Sequence, residues 1–529
     1  MLPFPPFPFL SQTDQENAVI TGKLRQGLPA LITALVASLP LSQVAHASYG
    51  IYVGSGLTED GSVLLGGTGE EPSSHWLEIV PRANHPAGAM ITVGATPEAR
   101  LPARLSEVPQ ARETFRYITM NYSSYAGFPA PITNGGLNEH QVAIRDIWSP
   151  SRPELIEMTP ADQTGPNYSD LARMALERAS TAREAVEIIG ALIDEYGYTT
   201  YGGNSHLIAD PQEGWVVLQF AGGQGLWVAE RLGPDDVRAS YPGYIEEVPA
   251  DYQSNPDFMG SDNLFSFARQ QGWHDPASGS LNVDEVYGLG GIMRTPGTKY
   301  VSPAELEAEL RDMVPVSVED VMKMVRDPRI ADDHAGYGQV AHLRQELANP
   351  SLALVWVAPT GSVTAPFVPW WVGVDSVPPE YGLHRYLTDN AAPTFINPDF
   401  QLQEATEFAG RLFKRLMYYT CAFPEEQLER VQSTLTAFEA TMLEELPRIE
   451  RIAALAYADS SELGSDVLTR FSHARAGDAL ELGRGLLAGI EAEVKTRHGI
   501  PQPPSDADIN AGGKAVTCLV GADPDQPRD

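Results

Sequence analysis

The sequence predicts a layered α+β body with a helical region added on its C-terminal side, and three observations carry that expectation. Short strands begin at Tyr49, two helices are interposed between groups of strands, and residues 400–498 read as almost continuous helix. With 529 residues and 43% hydrophobic content, the chain exceeds what one core usually organises. A main body with a sizeable addition follows, divided as 1–47 (extension and leader), 48–395 (main body), 396–500 (helical region) and 501–529 (a loose tail rich in proline, aspartate and glycine).

The first elements form a hairpin. Tyr49 to Val53 reads as a strand, Thr58-Glu59-Asp60-Gly61 as a turn, and Ser62 to Gly66 as the returning strand. A chain that starts on such a strand is expected at the edge or end of its sheet. Further strands are expected at 89–93, 114–120, 141–147, 206–210, 214–220 and 225–231. Apolar residues at helical spacing predict helices over 168–179 and 181–196, the second with Thr181 as N-cap and Gly197 as its stop. Beyond residue 260, helices are expected at 302–312 and 317–325 and a strand at 353–358. Trp370 and Trp371 suit a packing cluster better than a binding platform. The helical region should break near Phe423-Pro424 and between Ser460 and Ser465.

Composition prunes the function classes. The net charge of −33, from 36 basic and 69 acidic side chains, leaves little excess cation to neutralise phosphates and argues against nucleic-acid binding. Cys421 and Cys518 lack the short spacings that hold zinc. In an exported protein they can pair; in a cytosolic one they would be buried thiols. Neither a G-x-S-x-G elbow, an H-E-x-x-H helix nor a lysine-bearing phosphate loop is present. Gly66-Gly67-Thr68-Gly69 imitates a phosphate cradle, but Glu70-Glu71 after it would repel phosphate. His75, His140, His206 and His342 are scattered without ligand spacing, so neither metal nor cofactor is expected.

The N-terminal segment has the three parts of a secretory signal: Lys23 and Arg25, an apolar run from Leu28 to Leu41, and the small-x-small triplet Ala45-His46-Ala47. It is too short for a membrane span. An amphipathic helix is the alternative, though one running straight into a glycine-rich strand has little packing logic. Cleavage by signal peptidase after Ala47 would leave Ser48 first in a periplasmic or extracellular protein. Its α-amine, with a reference pKa of ~7.7–8.0, could then take the proton of its own hydroxyl, so that one residue supplies nucleophile and base. On local sequence alone, Ser48 reads better as a residue that merely suits cleavage than as a nucleophile.

The whole hairpin resembles the start of the dipeptidase A family of N-terminal nucleophile hydrolases, relatives of penicillin V acylase and bile salt hydrolase. That family begins with a nucleophilic cysteine, passes an Asp-Gly-Ser turn and returns through an Arg-Asn-x-Asp-like segment. Without a gap, Ser48 takes the cysteine's place, Asp60-Gly61-Ser62 the turn, and Gly67-Thr68-Gly69-Glu70 the return. Gly136-Leu137-Asn138-Glu139-His140-Gln141-Val142-Ala143-Ile144 is similar to the family's Gly-x-Asn-Glu-x-x-Val-Ala-Ile strand, and Gly203-Asn204-Ser205-His206-Leu207-Ile208-Ala209-Asp210 to its Asn-Ser-x-Leu-Ile-Ala-Asp strand. Pro366-Phe367-Val368-Pro369 and the helical tail also fit, so the similarity runs from Ser48 to about Leu486.

The resemblance implies a four-layer αββα sandwich with the nucleophile at the end of an inner strand, and hydrolysis of a small peptide amide through an acyl-enzyme. An acylase or acyltransferase acting on an N-acyl substrate, or a silent peptide-binding relative, are the alternatives. It further implies Ser48 as nucleophile and base, Asn204 as oxyanion donor, Asn138 as second donor or substrate contact, and Glu70 as the carboxylate that orients the N-terminus. The acidic pair Glu70-Glu71 suits an amine-bearing substrate, and a solvated turn equally well. Two departures stand out: serine replaces the more reactive thiol, and Gly67 falls where the family has arginine. Arg145 or Arg294 would have to supply that charge from a neighbouring strand.

Overall fold

The computed structural model describes residues 48–70, 75–123, 127–243, 245–290, 301–331, 335–384, 406–500 and 518–519. The segment expected to be a leader, Ala47 of the expected cleavage point, Glu71, Arg294 and most of the tail lie outside these residues.

Two antiparallel sheets form the centre. In chain order their strands are β1 (Gly50–Val53), β2 (Val63–Glu70), β3 (His75–Val80), β4 (Tyr117–Tyr122), β5 (Ile132–Asn138), β6 (Ala143–Ile147), β7 (Asn204–Ala209), β8 (Gly214–Gln219), β9 (Trp227–Leu232), β10 (Val237–Ser240), β11 (Phe258–Gly260), β12 (Ala335–Leu343), β13 (Leu354–Ala358) and β14 (Val368–Trp371). The six-stranded sheet runs β10-β1-β2-β12-β13-β14 and the eight-stranded sheet β11-β9-β8-β7-β6-β5-β4-β3. Strand β1 is therefore an interior strand, flanked by β2 and β10. The expectation of a sheet edge for it is corrected, because Val237–Ser240 supplies a second neighbour.

The period of two along each strand decides which core each residue joins. In β6 and β7, Ile147, Leu207 and Ala209 belong to the core shared with the six-stranded sheet, whereas Ile144 and Ile208 pack beneath the helices on the other side. Those helices are α1 (Tyr168–Arg178) and α2 (Ala182–Tyr196). Asn167 closes a capping box on α1, and Thr181 caps α2, which stops at Gly197. The six-stranded sheet carries α3 (Pro303–Asp312) against β10 and α4 (Val318–Val325) against β2 and β12. The order helix, sheet, sheet, helix is the layering the resemblance implied.

The C-terminal helices are α5 (Ala409–Cys421), α6 (Pro424–Asp459) and α7 (Ser461–His498), with breaks at Ala422-Phe423 and Ser460. They share the sandwich's core. Trp370 and Trp371 are fully buried in that cluster, and Trp371 Nε1 donates to Glu450 at 2.8 Å. Glu439 of α6 sits buried against Arg326, receives Nη1 at 2.8 Å and also accepts the backbone N–H of Phe367 at 2.7 Å. Cys421 and Cys518, 97 residues apart, are joined in a disulfide. Among the described residues, no helix is long and apolar enough to cross a membrane.

Candidate active site

Ser48 stands just before β1 and is 3% exposed. A methyl group at Gly50 would meet the side chains of Ile147 and Leu207 at 3.0 Å, and one at Gly214 would strike the ring of Tyr52. Positions 50 and 52 thus face the eight-stranded sheet, and position 48 shares their face. Tyr49 faces the other way and stacks on Tyr241, ring centroids 3.8 Å apart. Direction follows from the same contacts. Tyr52 lies over Gly214, which pairs with Ala209, and Gly50 lies over Leu207, so Ser48 continues toward the Ser205 end of β7.

Beside Ser48 the ladder between β1 and β2 changes partners. Thr68 N donates to Tyr49 O at 3.0 Å, Tyr49 N donates to Thr68 Oγ1 at 3.3 Å, and Thr68 O accepts from Nη2 of Arg145. Arg145 comes from the facing strand β6, on the same side as Ile147, and is fully buried. Its guanidinium also donates to Tyr337 Oη and to Asn134 O at 3.3 Å, and lies 4.7 Å from the centre of the Tyr337 ring. Tyr337 Oη in turn donates to Asn134 O at 3.0 Å. A charge placed between two apolar sheets is tolerable only with such a set of acceptors.

Gly67, opposite Gly50, has φ +155°, and a Cβ there would lie 2.0 Å from Tyr49 O. No side chain fits that position while β1 and β2 pair. The cation therefore enters from across the inter-sheet layer, at the rung beside the Ser48-Tyr49 peptide.

Toward β10 the surroundings are hydroxyls. Ser149 Oγ and Ser205 Oγ lie 2.8 Å apart, Gly243 N donates to Ser149 Oγ at 2.9 Å, and a methyl at Gly243 would come 2.4 Å from Ser205 Oγ and 3.4 Å from Ser240 Oγ. Ser240 pairs with Gly50 and is fully buried.

The two expected asparagine donors are both engaged in hydrogen bonds within the fold. Asn138 ends β5 with its amide spent on structure: Nδ2 donates to Leu176 O at 3.0 Å and Ala179 O at 2.8 Å, while Oδ1 accepts from His140 N and Val142 N. It ties the end of α1 to the β5–β6 turn, at the strand end remote from Ser48. Asn204 shares the helix-facing side of β7 with His206 and Ile208. Its Oδ1 accepts from Tyr201 Oη at 2.9 Å and its Nδ2 donates to Ser205 O at 3.0 Å. The alternation of β7 turns Ser205, rather than Asn204, toward the Ser48 layer. His206, bonded to Tyr168 O at 3.0 Å, is held neutral by burial, its pKa pushed down to about 4. Glu70 ends β2 opposite Ala335; its side chain lies outside the described set.

Thr68, Asn134, Tyr337 and Ser240 were missed by sequence reasoning. Thr68 lay inside a quoted motif, yet only the register shows its carbonyl meeting Arg145. Tyr337 lies in Gly336-Tyr337-Gly338-Gln339, where glycines erase the alternation that signals a strand.

Residues 103–303 match the model of peptidase family C69. This bears out the resemblance over a segment that carries Asn138, Arg145, Asn204 and Ser240 and begins after the Ser48 hairpin. The chain is 25% identical over 277 residues to a protein named probable dipeptidase B from Streptococcus pyogenes serotype M3, and 24% identical over the same length to its serotype M1 counterpart. Each match covers 51% of this chain and 51% of the relative, so the chain spans about half the length of the curated relatives it matches. Two solved structures of conjugated bile acid hydrolase variants from Clostridium perfringens are 12% identical, with a TM-score of 0.31, covering 59% of this chain and 89% of theirs.

Proposed function

We propose that the protein is an exported amidohydrolase that cleaves small peptides, with Ser48 as an N-terminal nucleophile. The observation that carries this reading is the placement of Ser48 at the inward-facing end of an interior strand, with the Arg145 guanidinium at the neighbouring rung. Residues 103–303 support peptidase chemistry, and the Cys421–Cys518 disulfide supports export to an oxidising compartment.

Once cleavage frees Ser48, its neutral amine takes the hydroxyl proton as Oγ attacks the substrate carbonyl. The oxyanion forms as the new C–O bond closes, and the C–N bond then breaks, the leaving amine taking the proton from the Ser48 ammonium. Water, deprotonated by the same amine, hydrolyses the ester and regenerates Ser48. Arg145 acts twice. Its charge disfavours the ammonium form of the amine, so more base is available at neutral pH, and it favours the oxyanion.

Mass spectrometry of the mature N-terminus, with a panel of dipeptides and N-acyl amino acids assayed on wild type and Ser48→Ala, tests the reading. Expected are a chain starting at Ser48, dipeptide turnover, and a loss of at least about 10³-fold in Ser48→Ala. A mature chain starting elsewhere, or turnover that survives the substitution, refutes it; turnover of N-acyl substrates alone replaces the dipeptidase with an acylase.

A further inference from the structure

We propose that Ser240 is a substrate-contacting residue of this site, its hydroxyl donating to the carbonyl oxygen of the acyl group that Ser48 attacks. The inference rests on the reading of Ser48 as nucleophile and adds a donor that neither the sequence nor the family match assigns.

The first ground is position. Ser240 ends β10 and pairs directly with Gly50, so it lies on the same face of the six-stranded sheet as Gly50 and Ser48. Ser48 and Ser240 are diagonal neighbours on adjacent strands, a spacing of roughly 7–8 Å between Cα atoms.

The second ground is an unused hydroxyl. Ser240 is 0% exposed, and its Oγ has no hydrogen-bond partner among the described residues. A buried hydroxyl left unpaired costs about 1–3 kcal/mol, and such groups in native proteins mark a strained, catalytic or ligand-binding place. The neighbouring hydroxyls of Ser149 and Ser205 pair with each other and with Ile147 O, and Gly243 N is taken by Ser149. Ser240 is thus the hydroxyl of this cluster whose proton is uncommitted. With Asn138 and Asn204 both engaged in structure, a neutral donor on the Ser48 face is the group the chemistry still needs, and Arg145 supplies only the charge.

The test is Ser240→Ala, read against Gln339→Leu. Gln339 is a second buried group on the same register row, two strands from Gly50, whose Nε2 also has no partner among the described residues. Removing an unpaired group does not destabilise, so both variants should melt at or above the wild-type temperature. Expected is a fall in kcat of about tenfold to a hundredfold for Ser240→Ala with KM little changed, a partial recovery in Ser240→Thr, and unchanged kinetics for Gln339→Leu. Wild-type kcat in Ser240→Ala, a melting temperature that falls with it, or an equal loss in Gln339→Leu overturns the proposal while leaving Ser48 as nucleophile. Turnover that persists in Ser48→Ala overturns both.

Discussion

The two ends of the sandwich treat their polar groups in opposite ways. At the end where β5 turns into β6, every amide hydrogen and the carbonyl of Asn138 are spent, and Gln141 is exchanged in two bonds with Arg344. Across the layer there, the Asp60 carboxylate is closed by Ser62 and His342 and held well below the usual carboxylate range, chiefly by the His342 bond. At the Ser48 end, a backbone carbonyl of the ladder is given to an arginine and a buried hydroxyl is left over. Saturation reads as architecture, and the leftover donor and imported charge read as chemistry. Residue type alone does not separate them, since asparagine and serine occur at both ends.

Substitutions that interchange the roles sharpen this contrast. The largest effect is expected from Arg145→Met, which should lower kcat about 10²-fold or more and move the acid-limb midpoint of the pH–rate profile upward, toward the ~7.7–8.0 of an ordinary α-amine. A loss of rate with an unmoved pH profile would reduce Arg145 to a structural role.

The next effect comes from His206, buried on the helix side near the Ser48 end. Its folded-state pKa of about 4 lies below the ordinary 6.5, so between those values the unfolded chain binds more protons than the folded one. Stability is therefore complete above pH 6.5 and falls as the pH drops toward 4, by up to a few kcal/mol. Chemical denaturation of wild type and His206→Gln across this window checks it, since the variant's curve should be flatter there.

The smallest effect on rate belongs to Asn138→Ala. It strands two carbonyls and two backbone N–H groups, and should cost about 2–3 kcal/mol in denaturant unfolding while kcat at a permissive temperature stays within about twofold. A large loss of kcat in a folded variant would break the contrast between the ends.

Much of the architecture was legible because it rests on local signals. Thr181 and Gly197, Ser302 and Ser317 bound their helices where capping chemistry says they should. The hairpin turn at Asp60-Gly61-Ser62 also appears as read, with Ser62 N bonded to Asp60 at 3.0 Å. Strand β12, the centre of the six-stranded sheet, escaped because its glycines carry no alternation, and β3 because it has little contrast between its two faces. At the site, Arg145 was legible only through the resemblance, as one of two arginines that could stand in for the one missing at Gly67. The bonds that occupy the asparagine amides were not legible: those of Asn138 depend on Leu176 and Ala179, some forty residues away, and those of Asn204 on the parity of β7 and the turn that brings Tyr201 back to it.

The buried pair of Arg326 and Glu439 has a consequence for how the chain can be divided. Glu439 belongs to the C-terminal helices, yet it completes both a guanidinium and a backbone N–H that belong to the sandwich. A chain cut near residue 396 would leave the sandwich with a naked cation under Phe367 and the helices with a naked anion. The division that composition suggests at that point thus runs between the two members of one buried ion pair.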